Sequence, residues 1–238
     1  MDTIIFDLEG ELAHFRKFYT NSSSLSYSVP TRTSVMGIIA AILGYEKDSY
    51  YEIFSEEKCE IAIEKLTPTK KINQTLNYIK ATSPVELRHP KQHTQIPVEI
   101  IKAKDGKIKY RIYFFHKDQE IMNKLEQKLK NRDTEYPIYL GAAPFLAKIN
   151  FVDRVNFESK NTEDYVKIKS IIRAEQIEDI KLDFEKNIPL KEKMPYGFRK
   201  GRIPKQAVSY VMDENCEPIE IKTKSDYYIY NETNIIFT

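Results

Sequence analysis

Several things are scarce in this 238-residue chain, and each scarcity removes a class of function. Two cysteines, Cys59 and Cys216, cannot build a disulfide framework or a four-thiolate zinc site. No stretch approaches the ~20 apolar residues that span a bilayer, and no basic start leads into an apolar run. The seven glycines form no Gly-x-Gly-x-x-Gly, P-loop or Gly-x-Ser-x-Gly signature. Of four histidines, His89 and His93 stand at i,i+4, but Pro90 between them argues against the helix a metal pair would need. No metal or other cofactor is expected. What remains is an ordinary globular balance, 41% hydrophobic and 30% charged, expected to be soluble, reduced and cytoplasmic, with no membrane partner.

Net charge is only +2, but it is unevenly spread. Lys65 to Arg111 holds eleven Lys or Arg against three acids, a local +8. Lys191 to Lys205 holds six bases and one acid, Glu192, a local +5, which leaves −11 for the remainder. Two basic islands on an acidic body suit a polyanion held along a defined path, although a lysine-solvated hairpin would show the same pattern.

The stretch from His14 to Gly44 organises the rest. A short strand, Thr3 to Leu8, precedes it. A loop rich in hydroxyls and amides, Thr20 to Val29, leads through Pro30-Thr31-Arg32-Thr33 into an apolar helix ending at Gly44. That helix is apolar almost all round and should be buried. Thr33 or Ser34 can cap it, Gly44 suits a left-handed terminator, and a basic loop at a helix start suits an anion.

Further along, Lys47 to Phe54 reads as a short helix capped by Asp48, and Cys59 to Leu66 alternates as a half-buried strand. Residues 69–104 are too long for a plain connection and read as a protruding excursion with its own hairpin. Val98–Lys102 and Lys109–Phe115 read as a second hairpin across Asp105-Gly106. His116 reads as a surface or cap residue. An amphipathic helix follows, capped by Asp118, with Ile121, Met122, Leu125 and Leu129 on one face. Its exposed side offers the pairs Glu120–Lys124 and Glu126–Lys130. With a strand near Leu146–Val152 the order is βαββαβ, predicting an α+β, ferredoxin-like (RRM-like) domain over 1–157 with the hairpin excursion 69–104 inserted in it. A β-rich C-terminal subdomain over 158–238 packs on it. There Met194 to Lys205 reads as a loop, and Ala207–Val211 with Pro218–Ile221 as a hairpin.

His14 beside Arg16, Lys17 and Tyr19 allows two readings. It can deprotonate a ribose hydroxyl, with Lys17 stabilising the phosphorane, in metal-independent RNA cleavage. Alternatively it hydrogen-bonds a phosphate or a loop carbonyl, and binding or structure is the favoured reading.

Ala13-His14-Phe15-Arg16, Pro30-Thr31-Arg32-Thr33, the Met36–Gly44 helix and Tyr139-Leu140-Gly141 closely resemble the CRISPR-associated Cas-five family, the branch of type I-B systems most of all. The resemblance implies a repeat-associated, RNA-recognition-motif-like subunit of type I Cascade. Such a subunit caps the five-prime handle of the CRISPR RNA and touches the large subunit and the first backbone subunit. Its thumb kinks the guide–target duplex, so target DNA is an indirect partner. One branch instead cuts precursor RNA with a Tyr, Lys and His set, for which His14, Lys17 and Tyr19 would be the loose match here. The non-catalytic role is favoured. Chemistry and position then put Arg16, Lys17, Ser22, Ser23, Ser24, Tyr27, Arg32 and Thr33 along the handle. Lys70, Lys71, Arg88, Lys91 and His93 become thumb contacts, and Arg199 and Arg202 close the groove.

Overall fold

The structure is a computed structural model and describes residues 1–20 and 24–238. The strands of seven residues or more are β1 (Asp2–Gly10), β2 (Cys59–Lys65), β3 (Thr69–Lys80), β4 (Gln92–Ala103), β5 (Ile108–His116), β6 (Lys148–Asn156), β7 (Pro189–Arg199) and β8 (Ile203–Asp213). The helices are α1 (Arg32–Leu43), α2 (Pro84–Arg88) and α3 (Gln119–Asn131). The architecture is mixed α+β, with few helices and many strands.

Four strands make the central sheet in the order β2-β5-β1-β6, every neighbour antiparallel. β1 can sit inside because it is apolar on both faces, with Ile4, Phe6 and Leu8 on one and Ile5 on the other. The first face receives α1 and α3. α1 has apolar residues on every side, so it lies between the sheet and β7, which contributes Met194 to the same core. α3 buries Met122, Leu125 and Leu129 of the expected stripe, and Ile121 packs half-buried at its edge. Burying one such side chain contributes about 1.5–3 kcal/mol. Half of the second face is covered as well, where Phe157, Tyr230, Ile235 and Phe237 lie over Ile5, Ala62 and Tyr113. The other half carries ion pairs, Asp7–Arg111 at 2.8 Å and Glu9–Lys109 at 3.6 Å.

β3 and β4 pair over their full length, from Thr69 opposite Ala103 to Lys80 opposite Gln92. Val98, Ile100, Ile101 and Ala103 anchor the base, whereas Lys70 through His93 are exposed, so the excursion is an arm. At its tip Pro84 opens α2 and the Ser83 side chain caps it.

Several expectations are corrected. Lys47 to Phe54 forms turns rather than a helix, with Asp48 at a positive φ of 65°. The Asp105-Gly106 turn is present, but β4 and β5 do not pair across it. β4 is taken by β3, and β5 has β1 and β2 on its two edges. Met194 to Lys205 is not a loop, because it belongs to the β7–β8 hairpin, whose irregular register at Pro195–Gly197 absorbs the breakers. Nor does Pro218–Ile221 pair with β8, since Ile219–Thr223 joins Val166–Ile168 and Ile177–Lys181 in a separate five-stranded sheet. Glu126–Lys130 pairs as predicted at 2.6 Å, but Lys124 instead donates to the Leu43 carbonyl at the end of α1. His116 is buried, and its ring accepts from the Asp118 amide at the start of α3.

Candidate nucleic-acid interface

The cap of α1 is Thr31, earlier than the Thr33 or Ser34 expected. Its Oγ1 accepts the Ser34 N–H at 3.1 Å, and the Thr33 and Ser34 hydroxyls lie 2.9 and 2.8 Å from it. The first turn carries no acid, so apart from the neutral Thr31 cap no side-chain charge offsets the positive end of the helix dipole. At the other end Gly44, at φ 85°, terminates the helix as its sequence suggests. A cleft of about 300 Å³ opens beside the first turn. Thr31, Thr33 and Ser34 line it together with Arg16, Phe18, Tyr139, Phe198 and Arg202. Arg16 donates to the Thr20 carbonyl at 3.1 Å and Arg202 lies 3.4 Å from Asp48, yet both side chains reach solvent. Phe18 is 48% exposed, with Tyr19 packed edge-on against it. Cations, backbone donors and bare aromatic faces suit a phosphate and an unpaired base together.

Other residues predicted for this surface face inward. Arg32 is 2% exposed. Its guanidinium donates to the Cys59 and Tyr196 carbonyls at 3.0 and 3.4 Å and stacks 4.9 Å from the Tyr196 ring centroid. The reason is the all-round apolar helix, whose first turn is enclosed by β7. Tyr27 is also buried, its hydroxyl donating to the Lys193 carbonyl at 2.8 Å and its ring lying under the Lys17 ammonium. Lys17 reaches Glu192 at 2.7 Å. Burial disfavours its charge, but Glu192 and, less strongly, Tyr19 together more than offset this and the pKa is raised. Lys71 folds back from the thumb base to the Ser26 carbonyl at 2.8 Å, with Glu99 and Glu192 within 3.8 Å. Thr33 is buried apart from the part that meets the cleft.

His14 is 7% exposed and both ring nitrogens are engaged, Nδ1 with the Glu99 carbonyl at 2.7 Å and Nε2 with Ser24 Oγ at 2.9 Å. The carbonyl contact places a proton on Nδ1, and burial lowers the pKa below the ordinary value of 6.5, which favours the neutral ring with Nε2 accepting from the Ser24 hydroxyl. A general base needs a free nitrogen, which this arrangement does not offer. Tyr19 does stand near the Lys17 ammonium, but His14 faces the thumb base instead. Ser24 is tied to β4 by its backbone, its N–H donating to the Pro97 carbonyl and its carbonyl accepting the Glu99 N–H, while Ser22 and Ser23 lie outside the described residues. On the thumb Lys70, Arg88, Lys91 and His93 are exposed, as is Arg199 at the tip of the β7–β8 hairpin. The acids Glu99 and Glu192 were missed by sequence reasoning. The available signal was that Glu192 is the one acid in a basic run.

Residues 3–185 match the family described as CRISPR-associated protein (Cas_Cas5). The chain belongs to this family. No curated protein matches it. Among solved structures it is similar to a CRISPR protein from Archaeoglobus fulgidus, at 15% identity and TM-score 0.59, covering 99% of this chain and 98% of that one. It is also similar to a chain of a "CRISPR RNA-guided surveillance complex", at 12% identity and TM-score 0.52, covering 92% and 90%. A third likeness is to a chain of Type III-B Cmr-beta bound to cognate target RNA and AMPPnP, at 13% identity and TM-score 0.53, covering 93% and 86%. At these identities the likeness is one of fold. The matched span of this Cas5 protein holds the cleft residues from Arg16 to Tyr139 and the whole thumb, and stops before the β7–β8 hairpin.

Proposed function

We propose that this Cas5 protein is a non-catalytic RNA-binding subunit of a type I CRISPR surveillance complex, most like type I-B, that caps the five-prime handle of the CRISPR RNA. The handle end lies in the cleft at the start of α1, gripped by Arg16 and Arg202 with a base against Phe18. The thumb reaches toward the guide–target duplex through Lys70, Arg88, Lys91 and His93, and Arg199 flanks the groove. The body contacts the large subunit and the first backbone subunit. The order β2-β5-β1-β6 of its central sheet, with a helix after the first and third strands in sequence, supports reading this domain as ferredoxin-like.

The observation that carries this reading is the cleft itself, a helix start without an offsetting side-chain charge, with two exposed arginines and an exposed aromatic in a Cas5 chain. RNA-recognition motifs stack bases on sheet aromatics. Here Tyr113 on that face is fully buried under Phe157 and Tyr230, which favours the cleft over the sheet. The deciding experiment is assembly with the partner subunits on guide RNA with and without the handle. Assembly should require the handle and weaken about tenfold or more in R16A/R202A. Equal assembly without the handle would sink the proposal.

A further inference from the structure

Three segments far apart in sequence meet at one buried carboxylate. Glu192 on β7 is 4% exposed at its side chain. Its Oε1 lies 2.7 Å from Lys17, which follows the His14–Arg16 segment, and 3.8 Å from Lys71 at the thumb base. Its Oε2 accepts the Ser28 N–H at 3.1 Å, two residues from Ser26. A second carboxylate, Glu99 on β4, accepts the Ser26 N–H at 2.9 Å and stands 3.7 Å from Lys71. Lys71 closes the circuit by donating to the Ser26 carbonyl at 2.8 Å. Each acid therefore touches both the loop and the thumb, and Glu192 brings in the β7–β8 hairpin as well.

A buried carboxylate costs several kcal/mol in desolvation unless it is well paired, so its neighbours are held to satisfy it. Nothing in plain packing calls for an acid at this point of a basic run. An ammonium shared with a buried carboxylate is also a poor phosphate ligand, because moving it to RNA would strand the carboxylate.

We infer that Glu192 is a positioning residue, which locks the thumb base and the cleft loop into one arrangement and withholds Lys17 and Lys71 from the RNA. The withholding rests on the RNA-binding reading above, whereas the locking does not. Binding of any single-stranded RNA would otherwise gain from these two lysines, so Glu192 lowers affinity for RNA that lacks the features the cleft recognises.

The test is E192Q, which keeps the shape and removes the charge, in the full chain. Hydrogen exchange should speed up about tenfold or more at 70–73 and 24–28 and stay unchanged in α3. With a uridine homopolymer as probe, the slope of log affinity against log salt should steepen by about 0.7 for each lysine released. Adding K71M to E192Q should remove one such increment. Should E192Q compromise folding, K71M alone serves, and it should speed exchange at 70–73 while leaving the salt slope as in wild type. Unchanged exchange in E192Q overturns the lock, and a slope that fails to steepen overturns the withholding. If neither wild type nor variant retains RNA, the RNA-binding reading has failed, and the exchange result still decides the lock.

Discussion

A side chain at Gly141 would collide with the backbone of His14: a Cβ there would sit 2.1 Å from the His14 carbonyl oxygen. The neighbouring Leu140 carbonyl accepts the His14 N–H at 3.0 Å, so the two segments touch along their backbones. Gly141 also has φ +90°, a region costly to other residues. G141A should therefore destabilise the protein by about 3 kcal/mol or more. A denaturation midpoint measured at constant slope checks this, and a loss under about 1 kcal/mol would mean the two segments can separate freely.

His14 makes a distinct pH signature. Its folded pKa lies below the unfolded 6.5, because burial disfavours the charged ring. Between the two values the unfolded chain binds more protons, so stability rises with pH through that window. The contribution is fully present above about pH 7 and is lost as pH falls through the folded pKa. Urea midpoints of wild type minus H14N, taken from about pH 7.5 down to about pH 5, should shrink steadily. A difference that stays flat would contradict the buried neutral ring. Repeat RNA incubated with the protein in EDTA should remain intact, and site-specific cleavage abolished by H14A would restore His14 as a catalyst.

The framework was legible where side-chain periods are pure. α3 follows helical spacing within a few residues, whereas β1 was legible as an apolar run and the arm at 69–104 by its length and composition. β2 alternates in sequence yet is buried on both faces. Pairing was less legible, because a period says which residues share a face but not which strand lies beside them. Asp105-Gly106 is a good turn, yet its two strands each found longer partners. Pro195, Gly197 and Pro204 read as loop residues, and the β7–β8 hairpin accommodates them as irregularities near its end. At the site, Arg32 and Lys17 were legible as cations but not as buried ones. The acid that engages Lys17 lies 175 residues away, and the ring that stacks on Arg32 lies 164 away.

The thumb tip offers cations without internal duties. Among the described residues Lys80, Arg88 and Lys91 have no ion-pair partner and all are exposed. Replacing the three with serine should leave the stability within about 0.5 kcal/mol of wild type. The salt slope for guide RNA within the assembled complex should fall by up to about two units, at roughly 0.7 for each phosphate no longer neutralised. An unchanged slope would place the thumb tip against protein rather than nucleic acid.

Three arginines near one helix start separate structure from binding. Arg32 holds two carbonyls and a tyrosine face inside the core, so R32M leaves those acceptors buried without a donor. That should cost about 2–4 kcal/mol of stability. Arg16 and Arg202 keep exposed guanidiniums at the cleft, and the Arg202–Asp48 pair at the surface adds less than about 1 kcal/mol. R16A and R202A should therefore fold normally but lower the salt slope of RNA binding by about 0.7 each. R32M, assayed well below its melting point, should leave that slope as it is. If instead R32M alone flattened the slope, the guanidinium would be reaching a phosphate, and the cleft would extend inward past Thr33.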